Sequence, residues 1–305
     1  MSGRFELPFR KMHGCGNDYI FVEADRARLA VLLEHAPALA RSMSARHYGV
    51  GSDGLVFLDF AGDGDADLRM HMFNADGSRG ETCGNALRCA ARLLWEREPS
   101  ARSFRIASDA GVVLAELELE GGDLGEIVID MGQPRFSPEE LALQLEGVEA
   151  EPGAEDQPWA LRLPAAGRSF TVYPLSMGNP HAVCFVDEAL DELDLPLLGP
   201  ALGRASCFPN GANIEFVQQD AEGMLLQRSW ERGSGETLAC GSGACAVAVV
   251  AACTGRSVRG RPQRVLLRGG ELSITWSASG SVRMAGPARE VYRGLYSWDA
   301  KEGRS

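Results

Sequence analysis

FNADGSRGETCGNALRCAARLL at residues 73–94 and WERGSGETLACGSGACAVAVV at 230–250 read as two copies of one passage. Each runs from a strand-like segment through a turn to a cysteine, Cys83 or Cys240, and then into a helical stretch that is apolar on nearly every side. Two further landmarks recur in the same order: GNDYIFV (16–22) against GNPHAVCFV (178–186), and IVIDMGQP (127–134) against VRMAGP (282–287). Asn17 and Asn179 are 162 residues apart, Cys83 and Cys240 157, Met131 and Met284 153. Three landmarks at a nearly constant offset indicate an internal duplication.

The pattern within each half fixes the fold class. An alternating strand follows the asparagine, and a second (DLRMHMF at 67–73; MLLQRSW at 224–230) runs toward the cysteine. A helix then covers about 84–96 or 241–254, and three short strands close the half: SFRIAS, VVLAELELE and GEIVID in the first, QRVLLRG, ELSITWS and SVRMAG in the second. A helix that is hydrophobic all round must be buried, so each is expected inside a curved sheet. The expectation is an α+β protein of two pseudo-symmetric domains, each a mostly antiparallel or mixed sheet wrapped around a central helix. The boundaries read as 1–134, completed by 288–305, and 135–287. Further helices are expected at 26–34, 37–46, 138–145 and 188–203. The stretch 135–168, with its acidic EGVEAEPGAED, reads as a linker with a peripheral insertion.

Composition removes several function classes. The 305 residues carry 30 basic and 42 acidic side chains, a net charge of −12. With no basic block, such a chain repels nucleic-acid phosphates and anionic membrane surfaces. The longest apolar run, ACAVAVVAAC at 244–253, is half of what crosses a bilayer, and MSGRFELPFRKMHG lacks the apolar centre of a signal peptide. The expected setting is therefore cytoplasmic. Only Lys11 and Lys301 are lysines, so a pyridoxal-phosphate enzyme, which needs a Schiff-base lysine, would rest on one of these two; no cofactor is expected. The eight cysteines, at 15, 83, 89, 184, 207, 240, 245 and 253, read as thiols.

Cys83-Gly84-Asn85 and Cys240-Gly241-Ser242 each sit where a helix begins. A helix N-terminus lowers the pKa of a thiol and offers unpaired N–H groups to a carboxylate. If the two halves pack about a pseudo-twofold axis, both thiols face one cleft. Inverting a carbon that bears a carboxylate needs a base on one face, an acid on the other and donors for the charge that builds up. One thiolate and one thiol meet that need.

KMHGCGNDYIFVE, FNADGSRGETCGNALRCAA, SMGNPHAVCFV, GANIEFV and ERGSGETLACGSGACA together resemble the diaminopimelate epimerases, in the same order and over nearly the whole chain. The resemblance implies a homodimeric, pyridoxal-independent isomerase that interconverts LL- and meso-diaminopimelate in lysine and peptidoglycan-precursor synthesis. It also implies roles, position by position. Cys83 and Cys240 would be the acid/base pair. Gly84 with Asn85, and Gly241 with Ser242, would bind the reacting carboxylate, with Asn17 near the reacting amino group. Asn74, Asn179, Asn213 and Arg232 would hold the distal carboxylate and Glu231 the distal ammonium, while His181 and Glu231 would tune the thiols. One departure is GSDG at 51–54, where some members carry Gln in place of Gly54.

Other readings of the same residues stand beside this one. Asn17 and Asn179, each after a glycine, could be turn residues with positive φ. Glu231 and Arg232 could be a solvated pair, and His181 a core histidine. A thiol redox protein wants CxxC, where this chain has CGNALRC and CGSGAC. A structural zinc module also wants CxxC, and His13, His35, His47, His71 and His181 are scattered; no metal is expected. The nearer rival is a proline or hydroxyproline racemase using the same cysteine pair.

Overall fold

The computed structural model describes residues 4–61 and 64–299. Lys301 and the ends of the expected first domain, 1–3 and 300–305, lie outside the described residues. The chain divides into two compact units, Met1–Ile129 with Gly286–Ser305, and Asp130–Ala285.

The first unit opens with β1 (Arg4–Gly14) and β2 (Asn17–Glu23), joined by Cys15-Gly16 at φ 54° and 81°. Two positive φ values in a two-residue loop define the hairpin turn whose twist suits the flanking strands. It is therefore Cys15 and Gly16 that take the left-handed conformation, and Asn17 is already a strand residue. Helices α1 (Arg26–Glu34) and α2 (Ala36–Ser44) lead to β3 (Gly54–Asp59), which runs parallel to β2. Antiparallel β4 (Leu68–Asn74) and the short β5 (Arg79–Gly80) lead to α3 (Gly84–Arg97); β6 (Ser103–Ser108) lies parallel to β4, and β7 (Gly111–Glu120) and β8 (Asp123–Asp130) follow antiparallel. Both sheet faces are covered. Ile20 and Val22 of β2 and Leu55 and Phe57 of β3 pack with Leu29, Leu32, Leu39 and Met43 of α1 and α2. The alternate residues of those strands point to the other face, where α3 lies against β1, β2, β6 and β7. Burial from both sides is why GLVFLD of β3 is apolar almost throughout.

The second unit repeats this order. After β9 (Glu149–Glu151), β10 (Ala160–Ala165) and β11 (Arg168–Ser176), β12 (Pro180–Phe185) pairs in parallel with β13 (Asn213–Gln219) across a connection holding α4 (Leu195–Gly203). Then come antiparallel β14 (Leu225–Glu231) and β15 (Gly235–Thr237), α5 (Gly241–Cys253), β16 (Gln263–Leu267) parallel to β14, and antiparallel β17 (Gly270–Trp276) and β18 (Val282–Gly286). All of α5 from Gly243 to Ala251 is buried. The last strand, β19 (Arg289–Asp299), belongs to the first unit and pairs with β1.

Two expectations fail outside the repeats. No helix forms at 138–145: the chain makes one turn closed by Leu141 N–H to Ser137 and Leu143 N–H to Pro138, with Ala142 at φ 52°. A left-handed residue ends helical propagation. Nor is 135–168 a solvated linker. It carries β9 and β10, and Leu161, Leu163 and Ala165 join Phe170, Val172 and Leu198 in the second unit's core. In β10 buried Leu161, Leu163 and Ala165 alternate with exposed Arg162 and Pro164, the pattern of a strand with one face buried. The helix expected over 188–203 is shorter, since Asp194 caps a new start at Leu195.

Candidate active site

In the first unit Cys83 is the last extended residue before α3, with φ −147°, and is half-buried. Its Sγ donates to Asn17 Oδ1 at 3.4 Å, and the Tyr19 hydroxyl donates to it. Asn17 Oδ1 also accepts from Asn85 Nδ2 at 3.0 Å, while Asn17 Nδ2 donates to Asp53 Oδ2 at 2.8 Å. Asn85 Oδ1 in turn accepts from Arg88 at 2.6 Å. Guanidinium only donates and carboxylate only accepts, so the two ends fix both amides and point a carbonyl oxygen at the thiol. Arg88 is fully buried, and Gly14 makes room for it, since a Cβ there would lie 2.6 Å from its Nη2. Burial raises the Cys83 pKa, opposed by Tyr19, by the N–H groups of Ala86 and Asn85, and by the charge of Arg88.

The Asn85 side chain is thus engaged within the protein, by Asn17 on one side and Arg88 on the other. Asn74 ends β4 and is held by Ser78, its Nδ2 donating to Oγ at 2.9 Å. Gly54 touches Tyr19: a Cβ there would stand 2.9 Å from its ring.

In the second unit Cys240 immediately precedes α5 with φ −113° and is 5% exposed. Its Sγ lies 3.7 Å from Ser242 Oγ. Glu231, the last residue of β14, accepts from Thr237 Oγ1 and from Cys240. Burial pushes the Cys240 thiol well above its usual range, and the charges of Glu231 and Glu215 push it further. Burial also raises Glu231. His181 is 1% exposed, with Nδ1 2.9 Å from Glu215 Oε1 and Nε2 3.0 Å from Asn179 Oδ1. Asn179 follows Gly178, at φ 94°; as with Asn17, the glycine makes the turn. Asn213 Oδ1 accepts the Arg232 N–H at 2.8 Å, and the exposed Arg232 guanidinium donates to Asn210 O at 2.8 Å. His181 and Arg232 line one pocket of about 310 Å³ with Asn210 and Gly211.

The structure therefore brings Asn17, Cys83 and Asn85 into one hydrogen-bonded chain in the first unit, and gathers Asn179, His181, Glu231, Cys240 and Ser242 around the start of α5 in the second, where Asn213 holds Arg232. Sequence reasoning missed Tyr19, Asp53 and Arg88 in the first unit and Glu215, Gln227 and Ser229 in the second. The repeat itself carried a signal for one of them, since aligning Asn17 with Asn179 sets Tyr19 opposite His181. Glu215 carried another, as a lone acid inside the apolar NIEFV.

Ligand-type atoms of His181, Glu215 and Cys240 lie within 4.8 Å of one another, the one such group among the described residues. Both Glu215 oxygens are already taken, one by His181 and the other by Gln227 Nε2 at 2.8 Å and by Ser229 Oγ. The group is a closed hydrogen-bond network rather than an open set of ligands. Among the described residues no helix is long and apolar enough to cross a membrane.

A sequence model of the diaminopimelate epimerase family matches residues 9–137 and 173–291, leaving out most of the insertion. A diaminopimelate epimerase of Geobacillus thermodenitrificans is 43% identical over 96% of this chain and 97% of its own. One of Desulfovibrio desulfuricans is 40% identical over 95% and 98%. Among solved structures, a probable proline racemase from Agrobacterium radiobacter aligns with TM-score 0.68 at 15% identity, covering 96% of this chain and 93% of that one. A phenazine biosynthesis protein of the PhzF family from Bacillus anthracis aligns with TM-score 0.65 at 16% identity, covering 96% and 99%. At these identities the structural likeness speaks for the fold alone.

Proposed function

The chain belongs to the diaminopimelate epimerase family, and from that premise we propose that it interconverts LL- and meso-2,6-diaminopimelate by proton transfer at the α-carbon, with Cys83 and Cys240 as the base and acid. The observation that carries this reading is the pair of cysteines at equivalent helix starts of a duplicated topology. One thiolate takes the α-proton and becomes a thiol; the other thiol delivers its proton to the opposite face and becomes a thiolate. The first-turn N–H groups after each cysteine bind the reacting carboxylate as negative charge builds on it. Asn17 lies nearest the reacting amino group, Arg232 with Asn74, Asn179 and Asn213 takes the distal carboxylate, and Glu231 the distal ammonium. His181 and Glu231 tune the thiols. Each half, 1–134 with 288–305 and 135–287, acts as one domain of a cytoplasmic homodimer.

The electrostatics favour a division of labour. Arg88 and Tyr19 favour the charged form of Cys83, and two carboxylates oppose it at Cys240. Burial raises both thiols, Cys240 further than Cys83, so Cys83 is the more readily ionised of the two and serves as the base toward which Cys240 acts as the acid.

The test is solvent-deuterium incorporation at the α-carbon of LL-diaminopimelate, run beside proline, with no added cofactor and with EDTA present. Exchange into diaminopimelate alone supports the reading. Equal exchange into proline moves the assignment to the racemases, and dependence on pyridoxal phosphate or a metal removes the two-thiol mechanism.

A further inference from the structure

Strand register makes the two units comparable residue by residue. Tyr19 pairs with Gly54 and Phe21 with Val56 in the first; His181 pairs with Asn213 and Val183 with Glu215 in the second. Val56 faces Met72 and Leu58 faces Met70, as Glu215 faces Ser229 and Val217 faces Gln227. Counting from Cys83 and Cys240, Ala86 corresponds to Gly243. One patch beneath the helix start is therefore Val56, Met70, Met72 and Ala86 in the first unit, and Glu215, Gln227, Ser229 and Gly243 in the second. Every apolar member has a polar or Cβ-less counterpart.

Those replacements fit one another. Glu215 is fully buried and takes donors from His181, Gln227 and Ser229. A Cβ on Gly243 would lie 2.3 Å from Glu215 Oε1, so the glycine is what lets the carboxylate sit against the first turn of α5. A buried carboxylate with three donors is costly to assemble and needs a compensating role.

We propose that Glu215 is a positioning residue that holds His181 as the Nδ1–H tautomer and sets a fixed negative charge against the positive end of α5, so that Cys240 rests as the thiol. This goes beyond the thiol assignment above and rests on it. A carboxylate accepts only, so Nδ1 carries a proton toward Glu215, while Nε2 faces the Asn179 side-chain amide at 3.0 Å. The helix start by itself favours thiolate; burial opposes that preference, and the charges of Glu231 and Glu215 add to the opposition. The titratable groups around Cys240 in its own unit are Glu215 on β13, Glu231 at the end of β14 and His181 on β12.

The experiment uses the full-length enzyme and Glu215→Gln, which keeps shape and removes charge. Iodoacetamide labelling of Cys240 and of Cys83 is followed against pH by mass spectrometry. The expected result is a Cys240 midpoint lower by about one pH unit or more, the shift of a like charge at this range, with Cys83 moving less. On diaminopimelate, kcat should fall at least about tenfold with KM within about twofold. Loss of activity with an unmoved Cys240 midpoint assigns Glu215 a purely structural part and overturns the proposal, as does a moved midpoint with unchanged kcat. Nitrogen-15 NMR of the unmodified protein needs no variant: neutral His181 protonated on Nε2 alone also overturns it. Failure of the wild type to exchange diaminopimelate would sink the substrate reading, while labelling and NMR still decide the role of Glu215.

Discussion

Cys83 and Cys240 occupy the same place in two copies of one topology, yet the charges set around them are opposite. One turn into α3 stands Arg88, whose counterpart one turn into α5 is Cys245; on the strand beneath, Val56 stands where the other copy has Glu215. Burial raises both thiols, but a cation and a phenol oppose the rise at Cys83, whereas two carboxylates add to it at Cys240. Duplication thus supplied two equivalent helix starts, and a few substitutions beneath them gave the two thiols different electrostatic surroundings.

The most severe way to break this comparison is to remove either sulfur. Cys83→Ala and Cys240→Ala should each lower epimerisation at least about a thousandfold, the upper range for loss of a general acid or base. Cys89→Ala and Cys245→Ala, buried on the core sides of α3 and α5, should stay active. Deuterium exchange into diaminopimelate measures all four, and turnover near normal in either of the first pair removes the two-thiol mechanism. Next comes the strand end, where Asn74-Ala75 in one copy corresponds to Glu231-Arg232 in the other. Only the second copy carries the opposed charges that a distal zwitterion needs, so Arg232→Met should reduce kcat/KM for diaminopimelate about a hundredfold, as for loss of a charged hydrogen bond. A silent Arg232→Met would place the distal carboxylate elsewhere.

Arg88→Met sharpens the comparison from the other side. Removing a cation that favours thiolate should raise the labelling midpoint of Cys83 by about one pH unit and leave Cys240 nearer its own value. The sign is opposite to that expected for Glu215→Gln. Equal shifts at both cysteines would mean that the two sites do not hold separate fields.

Much of the architecture was legible because it depends on period and repetition. Two apolar helices after two cysteines, with alternating strands on either side, leave few ways to bury them, and the strands at 103–130 and 263–286 follow from turn residues and alternation. The insertion misled because its EGVEAEPGAED composition looks solvated, while its burial comes from Leu161, Leu163 and Trp159 just beyond the acidic stretch. The helix expected at 138–145 failed for a local reason, the left-handed Ala142, which apolar spacing does not reveal. At the candidate site, the residues named from sequence were those near the cysteines in the chain or inside recurring motifs. Those missed come from neighbouring strands: Asp53 is brought to Asn17, and Gln227 and Ser229 to Glu215, by register, which no local pattern states. Arg88 was hidden differently, as a charge inside a helix expected to be apolar all round, although CGNALRC displays it.

The smallest effects lie in the helix residues that differ between the copies, and an exchange of the two tests whether the difference is built in. Gly243→Ala puts the first unit's side chain into the second, where its Cβ meets Glu215 Oε1 at 2.3 Å. Either the carboxylate leaves its three donors or the helix start shifts, so denaturant unfolding should show a loss of about 2 kcal/mol. The Cys240 labelling midpoint should fall as it does for Glu215→Gln. The reverse exchange, Ala86→Gly, meets no such partner, because Val56 carries no polar group; it should cost about 1 kcal/mol, the helix-interior penalty of glycine, and leave Cys83 labelling where it was. Combining Gly243→Ala with Glu215→Val should recover part of the lost stability without restoring the Cys240 midpoint, since space is returned and charge is not. If Gly243→Ala is instead as mild as Ala86→Gly, the carboxylate has somewhere else to go, and the match between Gly243 and Glu215 is not what separates the two helix starts.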